Sequence, residues 1–167
     1  MNKFIAGLIL GLLILPVCGY LYFASGRAPV AAADAPMPFE KTLAKMALDK
    51  RLREPSTRNA PITADEAAFV AGAKIYKDNC AGCHGLPNQP VGNIARGMFP
   101  DPPQLFHGKE MVTDDPVGKI YWKVANGIRL TGMPAFKESL NDTQLWQVSL
   151  LLNHADKLPA AAQDLLK

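Results

Sequence analysis

Two kinds of hydrophobic pattern divide the chain. From Phe4 to Phe23, twenty residues pass without a charged side chain; as a helix rising about 1.5 Å per residue they reach about 30 Å, the thickness of a bilayer's hydrocarbon core. After that, apolar positions recur at helical spacing in short blocks separated by Pro, Gly and polar residues, and no strand-type alternation runs for a useful length. The pattern predicts an all-α protein. The first block, Phe39 to Glu54, lies between Pro38 and Pro55 with Phe39, Leu43, Met46 and Ala47 on one face. A second helix enters at Thr63-Ala64-Asp65-Glu66, a capping-box signature, with Lys74 and Lys77 near its far end to complement the dipole. A third is expected at about 115–126, with Asp115 before Pro116 at its start and Gly127 past its end. The last, near 142–154, opens at Asn141-Asp142-Thr143-Gln144 and offers Leu145, Trp146, Val148 and Leu152 for packing. Residues 85 to 113 hold many Gly and Pro and read as a long loop.

These blocks predict a membrane anchor or signal peptide over 1–23 and an Ala/Pro-rich tether over 24–61 that contains the basic helix 39–54. The main domain then covers 62–159 and a C-terminal tail 160–167. Lys3 and the terminal amine hold the first end of the apolar span in the cytoplasm, while Tyr20, Tyr22 and Phe23 suit the outer interface. A cleaved secretory signal is the rival, with Lys3 as n-region, Phe4 to Leu15 as h-region, and small residues at Ala24-Ser25-Gly26 or Ala31-Ala32-Ala33. Against it, Val17 to Phe23 stays apolar and aromatic where a short polar segment belongs. A lipoprotein reading at Cys18 lacks the small residue before it, since Leu15-Pro16-Val17 precedes. Gly7 to Gly11 forms a small-xxx-small pattern that admits another helix. The anchor predicts a single-pass membrane protein with its main domain outside the cytoplasm.

Composition narrows the classes. The chain's 167 residues support one domain plus appendages, and the formal net charge of +3 is too small to argue for nucleic acid. The helix at 39–54 carries Lys41, Lys45, Lys50, Arg51 and Arg53 among three acids, a mixed face that suits local packing or an anionic surface.

The chemistry is concentrated in Cys80-Ala81-Gly82-Cys83-His84, a C-x-x-C-H run. Two thiols at this spacing supply both covalent anchors for a c-type haem, and the adjoining imidazole supplies one axial ligand of the iron. A zinc site lacks its remaining ligands, because the only other cysteine is Cys18 in the apolar span. A thioredoxin-type pair or a simple disulfide gives His84 no reason. A second axial ligand is offered by Met133, between Gly132 and Pro134 in Thr131-Gly132-Met133-Pro134-Ala135-Phe136; Gly132 permits close backbone approach and Pro134 stiffens the loop. Met98 and Met111 are rival thioethers, and Met98 belongs to the loop expected around the haem edge. Arg96, Tyr121, Trp122 and Arg129 are candidate donors to the propionates, with Arg129 and Trp122 favoured because they flank the segment leading to Met133. His107 and His154 read as surface or helix-end residues rather than ligands.

With these residues in view, 62–159 resembles a class I (Met/His) monohaem cytochrome c of the bacterial type. The likeness rests on the haem motif, on Gly72, Tyr76 and Cys80 at spacing four, on the Thr-Gly-Met-Pro-Ala-Phe loop, and on a final helix with Trp146. It implies a cytochrome c fold of three to five helices around one covalently attached haem c. It also implies first and last helices that cross at Gly72 against the Trp146/Leu150 face. A proline carbonyl after the motif is implied as acceptor for His84, with Pro87 and Pro90 both available. Filled axial sites imply a one-electron carrier, not an enzyme, working between respiratory or photosynthetic redox proteins with no small-molecule substrate. A haem-bearing accessory subunit of a membrane oxidase, reductase or dehydrogenase is the alternative. A haem enzyme or gas sensor needs an open or labile sixth position and is the weaker reading.

Overall fold

The computed structural model describes residues 2–106 and 112–167; His107 and Met111, weighed above as ligands, lie outside them. Among the described residues all regular structure is helical. Eight α-helices run in the order α1 (Asn2–Ala24), α2 (Glu40–Leu52), α3 (Glu66–Asn79), α4 (Ala81–His84), α5 (Asn93–Arg96), α6 (Val117–Asn126), α7 (Asp142–Asn153) and α8 (Ala160–Leu165), with short 3-10 turns at Pro55–Thr57 and Val112–Asp114. Two compact units divide the chain, one ending at Thr42 and one covering Leu43–Lys167. In the first, α1 contains Pro16 and no buried residue, and it is long and apolar enough to cross a membrane.

The second unit is built on the crossing of α3 and α7. Asp65, not Thr63, caps α3: its extended backbone lets the carboxylate accept from the Ala68 amide at 2.8 Å, so the helix begins at Glu66 with a negative charge at its positive end. At α7 the predicted capping box is complete, with Asn141 accepting from the Gln144 amide at 3.0 Å and the Gln144 side chain accepting from the Asn141 amide at 2.9 Å. Gly72 marks the crossing point. A Cβ there would lie 2.4 Å from the Gln147 carbonyl oxygen and 3.0 Å from Leu151 Cβ, so the contact face is Gln147/Leu151, one position on from the expected Trp146/Leu150. Ala73, Tyr76, Val148, Leu150 and Leu151 fill the interface, and Ile120, Val124 and Ala125 of α6 close the core.

Two segments expected to be peripheral belong to this unit. Residues 160–167, expected as a tail, form α8, whose Ala162 joins the core together with Leu166 just beyond it. Pro159 precedes a six-residue helix, Ala160–Leu165, that opens with three alanines and shows almost no periodicity in sequence. The stretch 56–61, expected as a linker, is largely exposed but is held to this unit at its N-terminal side. Leu52 and Pro55 are buried, and a Cβ on Gly118 would come within 2.2 Å of the Pro55 carbonyl oxygen and 2.6 Å of that of Arg58. Helix α2 therefore faces inward with Leu52, while Phe39, Leu43 and Met46, expected as the packing face, are exposed.

Asp115 ties α6 to its surroundings. Its carboxylate accepts from Lys119 at 2.7 Å and Lys123 at 2.8 Å, and its carbonyl accepts from the Asn153 side chain at 2.9 Å. Burial pushes the carboxyl up, but the hydrogen bonds and charges of the two lysines outweigh it and hold the group below its ordinary value. A depressed folded-state value means stability that is present above about pH 4, the unfolded value, and is lost as pH falls through the folded one. Asp115→Asn is expected to lower stability by about 0.5–1 kcal/mol at neutral pH, the range for partly exposed pairs. The melting-temperature gap to the native chain should narrow steadily in acid and close below the folded value; a gap independent of pH would contradict this.

Candidate haem site

The five-residue motif folds as one tight turn at the end of α3. The Cys80 amide donates to the Tyr76 carbonyl at 2.8 Å, and the Cys80 carbonyl accepts from the amides of Cys83 at 3.1 Å and His84 at 2.9 Å. Gly85, at φ 72°, breaks the helix directly after His84; the left-handed backbone there favours glycine. Tyr76 braces the turn from inside by donating its hydroxyl to the Gly85 carbonyl at 2.7 Å. Burial, and then the Cys80 thiol, raise the Tyr76 phenol above its usual range, so it stays a donor. Both cysteines are half-buried and free, not joined to each other. Burial, and then the nearby Cys83, push the Cys80 thiol up to about 12, which keeps it protonated.

His84 is oriented from a distance the motif does not reveal. Its Nδ1 lies 2.8 Å from the carbonyl oxygen of Pro103. Pro103, nineteen positions on, is thus the acceptor, not Pro87 or Pro90: Gly85 turns the chain away, and the segment around 103 returns over α4. Gln104 secures that return by donating to the Cys83 carbonyl at 3.3 Å, and Phe106 packs edge-on against Tyr76 with ring centroids 5.1 Å apart. Burial lowers the His84 value, although the Pro103 bond opposes this. A neutral imidazole donating Nδ1–H to a carbonyl has the Nε2 lone pair left for a metal.

Met133 is half-buried and packs against the same core as Cys80 and Leu86. Its loop is tied by its own bonds: the Met133 amide donates to the Thr131 hydroxyl at 3.1 Å, and its carbonyl accepts from the Ile128 amide at 3.2 Å. Gly127, at φ 65°, lies against the 133–135 backbone; a Cβ there would come 2.7 Å from the Met133 carbonyl oxygen. Met98 comes to the same loop, with its Cε 1.9 Å from where a Gly132 Cβ would stand. The Arg51 guanidinium lies 5.6 Å over the ring of Trp122. Arg129 is exposed in the loop leading to Met133. Tyr121 stacks on Trp146 at 4.0 Å and hydrogen-bonds Asp142, Arg96 bonds Asn93 at 2.6 Å, and His154 is held by the Leu150 carbonyl at 3.0 Å.

Two free thiols on one turn, an imidazole fixed through one nitrogen and a thioether on a braced loop form a donor set that fits a covalently attached haem. Helices α3 to α8 with this turn define a c-type cytochrome domain. Residues 67–150 match the family described as cytochrome C oxidase, cbb3-type, subunit III, and the chain belongs to that family. The cbb3-type cytochrome c oxidase subunit CcoP of Azospirillum brasilense is 31% identical over 90 residues, which cover 54% of this chain and 29% of that protein. The Kuenenia stuttgartiensis reducing HAO-like protein complex Kustc0457/Kustc0458 contains a similar chain at 26% identity and TM-score 0.47, with 55% of this chain and 45% of that one covered.

Pro103 and Gln104 were missed because the acceptor is a backbone carbonyl, which every residue carries. The one available signal was the Pro102-Pro103 pair inside the loop.

Proposed function

We propose that this chain is a membrane-tethered c-type cytochrome that passes single electrons through one haem, bound covalently by Cys80 and Cys83 and ligated by His84 and Met133. The observation that carries the reading is the C-x-x-C-H turn with His84 Nδ1 tied to the Pro103 carbonyl. Haem c supplies a one-electron iron couple, and thioether ligation favours its reduced state. The protein's part is to hold the ligands still. Pro103 fixes the imidazole, the Thr131 and Ile128 bonds fix the Met133 loop, and so neither ligand has to move when an electron arrives or leaves. Arg129 and Trp122 are proposed as propionate donors; the Arg51 guanidinium lies over the Trp122 ring face, not on its indole N–H.

Helix α1 is the proposed anchor, with the haem domain outside the cytoplasm. Family membership and the CcoP relative favour service as a haem-bearing subunit of an oxidase-like complex over free shuttling. The two separate on purification in mild detergent: a stable multi-subunit assembly supports the subunit, and a monomeric haem protein supports the shuttle. A mature chain starting near Arg27 or Asp34 by intact mass would reject the anchor.

Met133→Ala tests the ligand set. The variant is expected to lose the red-edge sulfur-to-iron band of the oxidised protein, to bind carbon monoxide when reduced, and to show a lower reduction potential. Persistence of the band would transfer the ligand role to another thioether, with Met98 the first to replace next.

A further inference from the structure

Outside the haem turn, the second unit carries a groove of about 380 Å³ that none of Cys80, Cys83, His84 or Met133 lines. Its floor is aromatic, from Tyr121 and Trp122, and its rim is charged, with Arg51, Arg58 and Lys137 against the single acid Glu54. These cations take no part in the ion pairs of the fold. Among the described residues the ion pairs join Asp115 to Lys119 and Lys123, Asp156 to Lys157, and Asp164 to Lys167, so the rim cations and Glu54 have none.

The two guanidinium groups are nevertheless held in place. Arg51 lies 5.6 Å over the Trp122 ring, and Arg58 lies 5.1 Å over Tyr121 and 5.5 Å over Trp146. A guanidinium on an aromatic face keeps its N–H donors free for a carboxylate, and the side-chain entropy of presenting them is already spent. Position strengthens the effect, because the strap bearing Pro55 and Arg58 is packed on α6 at Gly118.

We propose that this groove docks an acidic segment of a protein partner, with Arg51 and Arg58 taking carboxylates in forked geometry and Lys137 adding a point charge. A protein segment fits better than a small metabolite because the four charged residues are all exposed along an open rim, whereas small-molecule pockets are mostly apolar and enclose their ligand. Glu54, the one acid on the rim, repels an incoming carboxylate and sets the affinity low. This surface is separate from the axial ligands and does not rest on them.

The test uses the full haem-loaded chain in detergent micelles, titrated calorimetrically with a short end-capped peptide of alternating Glu and Asp and with its Gln/Asn counterpart. Selective, saturable binding of the acidic peptide is expected, weakened about tenfold or more in Arg51→Gln/Lys137→Gln and on raising salt to about 0.3 M. Glu54→Gln should tighten it, and the visible spectrum should not change in any of these variants. Arg58 is left intact because its ring contacts also support the fold. Absence of binding, equal binding of the amide peptide, or an affinity unaffected by the double substitution overturns the proposal. Displacement by inorganic phosphate at matching concentration also overturns it, in favour of a free-anion site.

Discussion

Gly72→Ala is expected to destabilise the cytochrome domain by a net of about 1–2 kcal/mol or more, although alanine is the better helix former. Two effects oppose each other. Inside a helix, Gly→Ala gains about 1 kcal/mol from reduced chain entropy. Against this, the new Cβ meets the Gln147 carbonyl oxygen at 2.4 Å, the Gln147 carbonyl carbon at 2.9 Å and Leu151 Cβ at 3.0 Å. Two of these atoms are helix backbone and cannot swing aside, so α7 must shift as a body. Overpacking of this kind typically costs about 1–3 kcal/mol and occasionally more. Here it falls on the central interface, where Ala73, Tyr76, Val148 and Leu151 are wholly buried, so the cost belongs in the upper part of that range, about 2–3 kcal/mol, and the clash wins. At about 4–8 °C per kcal/mol for a domain of this size, the melting temperature should fall by about 5–15 °C. Calorimetry on the haem-loaded protein checks it, and an unchanged or raised melting temperature would mean that the helices do not cross at Gly72.

Gly72 also separates what the sequence makes legible from what it hides. The resemblance to class I cytochromes c implies that α3 is crossed at Gly72, four before Tyr76 and eight before Cys80, and the Asn141–Gln144 box marks where its partner begins. Each signal lies within one short segment of chain. The register of the crossing is not local, and it fell one residue from expectation because helical faces are broad enough that Leu150 and Leu151 are both buried. The same distinction runs through the site. Cys80, Cys83 and His84 announce themselves because their side chains must stand in one turn. The Pro103 acceptor, the packing of Pro55 and Arg58 against Gly118, and Arg51 over Trp122 depend on chain segments returning from far away through backbone or stacking contacts. Helix α8 was hidden for a third reason: its alanines suit a helix and a flexible tail equally, and only the burial of Ala162 and Leu166 decides between them.

Replacing Cys80 and Cys83 together by serine is expected to abolish covalent haem while leaving the turn that carries His84 in place. The turn is held by main-chain bonds, from Cys80 to the Tyr76 carbonyl and from Cys83 and His84 to the Cys80 carbonyl, and by the Tyr76 hydroxyl on Gly85. None of these passes through sulfur, and serine preserves them at similar volume. Only the two proposed thioether anchors are removed. Haem staining after denaturing electrophoresis should therefore be strong for the native chain, present for either single variant, and absent for the double one. Acidified organic solvent should extract any haem the double variant retains through the proposed ligands His84 and Met133. Helical content by circular dichroism should be kept to a larger degree than haem content, because α3 and α7 pack through Gly72 rather than through the cysteines. Covalent haem persisting in the double variant would place the attachment elsewhere and remove the basis for reading His84 as the axial ligand.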